Sequence, residues 1–499
     1  MNAFATFFCR GAVPVPRTAL ALSMALALGA CSLAPLDQTP PMAVPAAWKS
    51  AAPVEGWISA EAARNWQAGR WWTLFNDAQL DALIDRVHIG NQNLALAIAN
   101  VRQAQAALRQ QQAQLWPTVG ASANEQRSGG EDRSTTRSAS LGLNVSWEPD
   151  LWGRLGDAAR AQGASVQASE ADLAGARLSA QGSLALAYFS LRELDAEIAL
   201  MNDIITGYER SAKITQNRYD AGIAARTDTL QAQSTLDNAL ASRTALQLNR
   251  ALSEHAIALL IGEAPAGFQL PAATWVDQVP AAPAGVPSEL LLRRPDVATA
   301  GRNVSAANAR IGVARAAYFP QFTLTGSVGA SGSHLADLVS APTLLWSLGL
   351  SLAQYVFDGG ARTAAVDQAV AAHEGAAATY RQTALSAMKD VEDQLATLTA
   401  LAAQQERTRA SADAAQRIEQ QMLNRYQSGL AAYTEVVTVQ ASALSARRSV
   451  MQLQLQRQQA AVSLMQALGG GWQAPWLAPG APTDGAAPAP AAAASAPAR

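Results

Sequence analysis

The chain has 499 residues, 49% of them hydrophobic, and a formal net charge of −2 at pH 7. This length and composition allow a large core and exclude an intrinsically disordered chain. Because the basic residues form no cluster or stripe, we expect no nucleic-acid partner.

The N-terminus carries an export signal. Arg10 and Arg17 precede the apolar run at residues 18–30, which is too short to span a membrane, so residues 1–30 are predicted to be a signal peptide. Residues 28–31 read Leu-Gly-Ala-Cys and are similar to a bacterial lipobox, which predicts lipidation of Cys31. The alternative is an ordinary signal cut nearby, with Cys31 incidental.

Lipidation would place the mature chain at a membrane. Cys9 lies in the predicted signal, so the mature chain has one cysteine and no disulfide. Ser32 stands where an aspartate would favour retention in the inner membrane. We therefore expect a lipid-anchored protein of the outer membrane that extends into the periplasm; the anchor itself spans nothing.

The rest of the chain is an internal repeat with copies roughly 200 residues apart. Trp116-Pro117 recurs as Phe319-Pro320, and Arg218-Tyr219 recurs as Arg425-Tyr426. The predicted segments are an N-terminal and equatorial segment at 31–77, the first repeat at 78–262, a linker at 263–287, the second repeat at 288–468, and a disordered Ala- and Pro-rich tail at 469–499.

Each repeat contains a predicted β-hairpin, at about 117–147 and 320–355. Apolar and polar residues alternate along these strands, and each strand has about ten residues, the length of a tilted transmembrane strand. Half-buried strands of a soluble sandwich are the alternative. The polar residues of the other face favour a wet lumen, and aromatic residues at the strand ends favour a membrane interface. These aromatic residues are Trp116, Trp147, Trp152, Tyr318, Phe319, Tyr355 and Phe357.

Long helices follow the hairpins. Apolar residues such as Leu194, Ile198 and Met201 recur every three to four positions, which is typical of packed helices. Proline-free runs at about 156–220 and 363–427 predict helices of about 100 Å. Shorter helices are expected at about 226–261 and 433–468, and the helices leading into the strands at about 78–115 and 288–317.

A tip turn joins the long and short helices of each repeat, at about 218–228 and 425–435. Gly222 and Gly429 are expected to end the long helices. Thr227 and Thr434 are expected to start the short ones, with the acidic residue that follows each in the first turn. Arg218 and Tyr219, and likewise Arg425 and Tyr426, predict an exposed docking surface; helix capping alone is the alternative.

Four strands cannot close a barrel, and an open edge in lipid leaves backbone groups unpaired. The chain must therefore oligomerise. Two copies would give eight strands filled by side chains, and three would give twelve strands around a water-filled lumen.

Several motifs together carry a family resemblance: residues 71–75 (Trp-Trp-Thr-Leu-Phe), 147–154 (Trp-Glu-Pro-Asp-Leu-Trp-Gly-Arg), 292–296 (Leu-Arg-Arg-Pro-Asp) and 317–320 (Ala-Tyr-Phe-Pro). In this order the chain resembles TolC-type outer-membrane efflux proteins, in the lipoprotein branch that serves resistance-nodulation-division pumps. The resemblance implies an α+β membrane fold: a homotrimer with a shared twelve-stranded barrel, a periplasmic α-helical barrel and a small mixed equatorial domain. It also implies two partners, a periplasmic adaptor and an inner-membrane pump.

The resemblance further implies a gate at the periplasmic end. Glu435 matches the first acidic position of the family's closed end, and Asp228 is its counterpart in the first copy. Thr438 and Ala431 stand where some members carry an acidic and a basic residue, so a sparser closing network is expected. A solvated carboxylate at a helix start is the alternative for Glu435.

No catalytic, cofactor or metal site is expected. The four histidines are scattered singly, and no nucleotide-binding motif occurs, so a partner must supply any energy for transport. The expected function is a passive duct for small molecules. A periplasmic lipoprotein scaffold and the duct of a type I protein secretion system remain alternatives, and the sequence does not identify the cargo.

Overall fold

The computed structural model describes residues 32–38, 40–49, 69–131, 133–280, 293–334 and 344–474. The predicted signal peptide, Cys31 and residues 475–499 of the predicted tail lie outside these ranges. The helices and strands are, in chain order, α1 (Ala78–Gly90), α2 (Gln92–Ala113), β1 (Thr118–Gly130), β2 (Arg133–Trp147), α3 (Arg154–Asp220), α4 (Arg226–Leu260), α5 (Pro295–Ala316), β3 (Gln321–Gly332), β4 (Leu344–Ala353), α6 (Ala361–Gln427) and α7 (Tyr433–Ala467).

The repeat is visible in the lengths of these elements. α3 and α6 have 67 residues each, and α4 and α7 have 35 each. The predicted α+β fold with one hairpin and one long helix per repeat is confirmed. Among the helices that the structure describes, none combines the length and apolar character that a membrane-crossing helix needs.

The chain divides into two compact units. The sheet unit comprises Met1–Thr39, Gln103–Val166 and Arg302–Ala377, and the helical unit comprises Pro40–Arg102, Gln167–Gly301 and Ala378–Arg499. Each predicted repeat therefore contributes residues to both units.

The sheet unit contains one antiparallel sheet with the strand order β1-β2-β3-β4. The register aligns apolar residues in rows across the strands, such as Leu143 with Val328 and Val328 with Trp346. These residues share one face because side chains alternate along a strand. The apolar side chains of β4 are exposed over most of their surface, so this face has no covering layer within the described chain.

The opposite face of the sheet is polar. Its side chains bond to one another or to the sheet backbone: Asn144 Nδ2 donates to Ser122 Oγ at 3.2 Å, and the hydroxyls of Ser327 and Ser347 lie 2.8 Å apart. The predicted alternation is thus confirmed, with Leu345 as an apolar exception in β4. A sheet with one bare apolar face and one hydrogen-bonded polar face fits lipid on one side and water on the other.

Aromatic residues gather at one end of this sheet. Trp152 stacks on Phe319 with ring centroids 4.8 Å apart and donates from Nε1 to Pro320 O at 2.7 Å. Trp147 Nε1 donates to Leu115 O at 3.0 Å. The indole N–H groups near the strand ends are thus satisfied by backbone carbonyls, an arrangement typical of a membrane interface.

The first entry helix differs from the prediction. One helix was expected over about 78–115, but the structure breaks it at Asn91, whose backbone is extended. The Asn91 side chain accepts bonds from the backbone N–H groups of Asn93 and Leu94 at 2.9 and 3.2 Å, and donates to Leu260 O at 2.7 Å. The break therefore has a physical cause: Asn91 caps α2 and joins it to the end of α4.

Part of the core of the helical unit is built from the Trp-Trp-Thr-Leu-Phe motif, which forms a 3₁₀ helix at Trp71–Phe75. Trp71, Trp72 and Phe75 are buried. Trp71 Nε1 donates to Gln181 Oε1 at 3.0 Å, and the ring of Phe75 lies 4.8 Å from that of Phe189. This motif thus packs the chain before α1 against α3.

Candidate functional site

The two helical tips end their long helices in the same way. Gly222 and Gly429 have φ values of +73° and +76°, which L side chains rarely adopt. In the first tip Gly222 N donates to Tyr219 O and Ile223 N donates to Arg218 O, both at 2.8 Å. The second tip repeats both bonds one copy later. Each tip is therefore a Schellman turn, and glycine is required there as the sequence predicted.

The helices after the tips begin at the predicted positions, but no threonine caps them. α4 starts at Arg226 after the N-cap Ala225, and α7 starts at Tyr433 after Ala432; neither alanine gives a side-chain cap. Thr227 and Thr434 are the second residues of these helices, so they lie at the helix starts as expected but do not act as N-caps. An extended alanine backbone sets the helix start instead.

Asp228 and Glu435, the candidate gate residues, do lie in the first turns of α4 and α7. Asp228 is half-buried and Glu435 is exposed. Both carboxylates therefore stand at the positive end of a helix dipole, where negative charge is stabilised.

The two tip tyrosines have opposite environments. Tyr426 is only 6% exposed, with its ring 5.3 Å from that of Tyr433 and its hydroxyl 3.3 Å from Thr215 Oγ1. Tyr219, its counterpart in the first copy, is 38% exposed. The prediction of an exposed aromatic at both tips is thus wrong for Tyr426, because the first repeat covers it.

The two tip arginines differ in the same way. The Arg218 guanidinium lies 5.0 Å from the centroid of the Tyr426 ring, and its Nη1 donates to Tyr426 O at 3.1 Å. Arg425 is exposed, and its one hydrogen bond within the described part of the chain is to Leu430 O of its own turn, at 3.5 Å. Arg218 and Tyr426 therefore join the two repeats within one chain, while Arg425 and Tyr219 face outward.

A cavity of about 280 Å³ lies beside this contact, between α3, α6 and α7. The ion pair of Glu419 and Arg447 (2.7 Å) lines it, and burial raises the pKa of Glu419. Burial and the nearby Tyr426 raise the pKa of Tyr433 to about 12, so this phenol is neutral at physiological pH. The cavity lining offers no activated nucleophile, and the described residues contain no group of three or more His, Cys, Asp or Glu placed to hold a metal.

A pair of carboxylates is buried further along α3. Burial raises the pKa of Glu193 to about 7, and the charge of Glu197, one turn away, adds to the shift. Arg448 of α7 forms an ion pair with Glu197 and opposes the shift. Two carboxylates thus lie near one guanidinium group, and burial favours the protonated form of Glu193.

Glu193 should make stability depend on pH. Between pH 4.5 and about 7 the folded state holds a proton that the unfolded state has lost, so stability falls as pH rises through this window. Glu193→Gln should remove this loss, with a gain of about 3 kcal/mol above pH 7. Thermal melts at pH 5 and pH 8 measure it. Glu406→Gln, at an exposed site on α6, is the control. If the stability of Glu193→Gln changes between pH 5 and pH 8 as much as that of the unmodified protein, Glu193 is not the source of the pH dependence.

The residues that follow Cys31 are held against the sheet unit. Ser32 Oγ donates to Asp157 Oδ1 at 2.9 Å and accepts from Arg160 Nη1 at 3.0 Å. Asn308 Nδ2 donates to Pro35 O at 2.8 Å. Asp157 is fully buried, and burial raises its pKa. Cys31 itself lies outside the described residues, but the chain next to it is fixed by α3 and α5.

Sequence reasoning missed Thr215 and Tyr433 as partners of Tyr426. Thr215 lies in the other repeat, and no local pattern links the two. An alignment of the two repeats does show that these positions differ, since the counterparts of Thr215 and Tyr433 are Met422 and Arg226. The copies thus diverge at the positions that cover Tyr426.

Comparison with known proteins agrees with this fold. The family model for outer membrane efflux proteins matches residues 83–263 and 286–470. The cation efflux system protein CusC of Escherichia coli is 31% identical, over 92% of this chain and 99% of CusC. The pyoverdine export outer membrane protein OpmQ of Pseudomonas aeruginosa is 32% identical, over 91% and 96%. The open-state structure of the Neisseria gonorrhoeae MtrE outer membrane channel matches with a TM-score of 0.77 and 27% identity, over 89% and 99%. The chain belongs to the outer membrane efflux protein family.

Proposed function

We propose that three copies of this chain form a passive conduit that carries small molecules across the periplasm and the outer membrane. As a family member, the chain is the outer-membrane channel component of an efflux system. The trimer and the passive mechanism are the proposal. One observation carries it: the four-stranded sheet has one apolar and one polar face, and β1 and β4 are its two edges.

The two edge strands, β1 and β4, favour an assembly in which the sheets of several copies close into a barrel. In lipid each unpaired backbone group costs several kcal/mol, so β1 of one copy must pair with β4 of the next. Two copies would give eight strands, an interior that side chains fill. Three copies give twelve strands, and the serine, threonine and asparagine side chains of the polar face then line a wet lumen.

The conduit needs partners on its periplasmic side. We propose an inner-membrane pump of the resistance-nodulation-division class and a periplasmic adaptor that docks at the tips. Ile223 and Leu430, each directly after its tip glycine, are exposed apolar side chains suited to such docking. Arg218 and Tyr426 would act beneath them by fixing the tip, and Gly222 and Gly429 by shaping the turn. Loss of adaptor capture by an Ile223→Asp, Leu430→Asp variant that still forms trimers would support this surface; unchanged capture would contradict it.

The cargo is proposed only as small molecules. CusC is named for cation efflux and OpmQ for pyoverdine export, two cargoes of different chemistry in proteins similar to this chain. We infer that a wide, polar-lined duct carries whatever its pump selects. Exchanging this chain into a related pump system should preserve that system's cargo; a changed cargo range would oppose the inference.

Conductance tests the central proposal. Purified protein should run as a trimer and form ion-conducting channels in planar bilayers. A stable lone chain, or trimers without conductance, would overturn it. Fractionation of a Cys31→Ala variant tests the scaffold alternative, because a protein held only by lipid would become soluble, whereas a barrel stays in the membrane fraction.

We propose that Asp228 and Glu435 act at the periplasmic entrance. Three copies of each carboxylate around one axis would form an anionic ring that attracts cations. Replacing both with Asn and Gln should lower the cation preference of the channel, measured as a smaller reversal potential in a salt gradient. Glu406→Gln is the charge-matched control for each change, and an unaltered reversal potential would show that the carboxylates are only solvated helix starts.

A further inference from the structure

Each tip carries one arginine and one tyrosine, so two arginine–tyrosine pairs between the repeats are conceivable. The structure forms one of them. Arg218 of the first copy packs on Tyr426 of the second. The reciprocal pair, Arg425 of the second copy and Tyr219 of the first, makes no such contact within the described chain. Tyr219 has only Arg226 of its own tip near its ring, at 5.5 Å.

The repeat gives this contact a direction. The arginine of one tip reaches the tyrosine of the next tip, from the first copy to the second. In a closed ring the copies alternate, so the second copy of one chain faces the first copy of the neighbouring chain. Continuing in the same direction brings Arg425 to Tyr219 across the boundary between chains.

We propose that Arg425 of each chain stacks on Tyr219 of the neighbouring copy and completes a ring of six arginine–tyrosine contacts at the helical tips. The proposal rests on the trimer of the proposed function. It explains why Arg425 and Tyr219 are exposed although their repeat counterparts, Arg218 and Tyr426, contact each other. The occupant of this surface is thus a second copy of the chain, and the neighbouring arginine completes the site.

The contact between chains should be weaker than the one within a chain. Thr215, which lies beside the Tyr426 hydroxyl, has the counterpart Met422, so Tyr219 would have no hydroxyl partner there. Tyr433, which packs on Tyr426, has the counterpart Arg226, so two guanidinium groups would share the ring of Tyr219. Cation–π attraction acts on both faces of a ring, but the like charges oppose each other. The three contacts between chains should therefore loosen first when salt or a partner changes the tip.

Cysteine cross-linking tests the pairing. In the full-length protein in membranes, Tyr219→Cys with Arg425→Cys should give dimers and trimers on a denaturing gel after treatment with a short bismaleimide. The matched pair Arg218→Cys with Tyr426→Cys should link within one chain and run as a monomer. Each single-cysteine variant should give no linked product, which also controls for Cys31.

The outcomes separate this proposal from the trimer itself. A native trimer that gives no cross-link through residues 219 and 425, while the matched pair links internally, would overturn the pairing alone. Absence of a native trimer in the unmodified protein would overturn the trimer of the proposed function as well.

A double-substitution cycle gives a second measurement. Tyr219→Ala and Arg425→Ala should each lower the temperature at which trimers dissociate on native gels, and the double variant should lower it no further than the larger single effect. The loss should shrink at high salt, because an exposed cationic contact is screened. Additive losses, or no loss from either single variant, would count against the contact.

Discussion

Leu348→Arg is expected to abolish assembly of the protein in the outer membrane, whereas Leu345→Arg in the same strand is expected to leave assembly intact. Both positions exchange leucine for arginine in β4. Leu348 lies in the apolar row of the sheet, and Leu345 lies opposite Gly329 on the polar face. The comparison therefore isolates which face meets lipid.

The expected difference follows from the environment of each side chain. An arginine on the lipid face near the middle of the bilayer costs about 2–4 kcal/mol, and a trimer bears this cost three times. The polar face should line a wet lumen, where a guanidinium stays hydrated. The Leu345 side chain is itself 60% exposed, so a longer residue at this position can extend into the lumen.

Outer-membrane fractionation followed by native electrophoresis measures the result. Leu348→Arg should be lost from the trimer band, and Leu345→Arg should keep it and change channel conductance. Equal loss from both variants would mean that both faces are buried, as in a soluble sandwich. Equal retention would mean that the apolar face does not meet lipid.

The features that the sequence predicted well are those with a short period. Strands such as β4 alternate every two residues, and their two faces could be assigned from the sequence because the apolar row meets no polar interruption. Gly222 and Gly429 could be assigned to the tips for a similar reason, since only glycine readily adopts the left-handed conformation that ends those helices. The family resemblance then supplied the assembly, which no pattern within one chain specifies.

The features that the sequence did not predict depend on distant partners. The sequence predicts an exposed Tyr426, because its position at a tip gives no sign that Thr215 and Arg218 of the other repeat bury it. The break at Asn91 was missed although Gly90 precedes it, because the apolar period continues through both helices. Asn91 also bonds to Leu260, a contact that no local pattern reveals.

Buried charge in α3 is a third example. Arg192 is 1% exposed although arginines on a long helix are usually solvated. Its guanidinium forms an ion pair with Asp195, donates to Gln79 Oε1 at 2.6 Å and to Pro271 O at 3.0 Å, and lies 5.0 Å from the Tyr188 ring centroid. One side chain thus joins α1, α3 and the segment after α4.

Arg192→Met is expected to destabilise the helical unit by about 3–5 kcal/mol, because it leaves buried polar groups without their partner. Gln79 and the Pro271 carbonyl would lose their donor, and Asp195 would keep only Arg250, at 2.6 Å. Arg192→Lys should rescue little, since one ammonium cannot reproduce the planar fork that serves three acceptors.

The Arg192 prediction can be separated from a general effect of charge. Arg210→Met removes an exposed arginine from the same helix and should change stability by less than about 0.5 kcal/mol. Thermal melts of the trimer give the stability, and cleavage by a broad-specificity protease near residue 271 reports whether the segment after α4 is released. If Arg192→Met matches Arg210→Met in both measurements, the buried ion pair contributes no more than a surface charge. If melting falls without new cleavage, Arg192 stabilises α3 but does not hold the segment after α4.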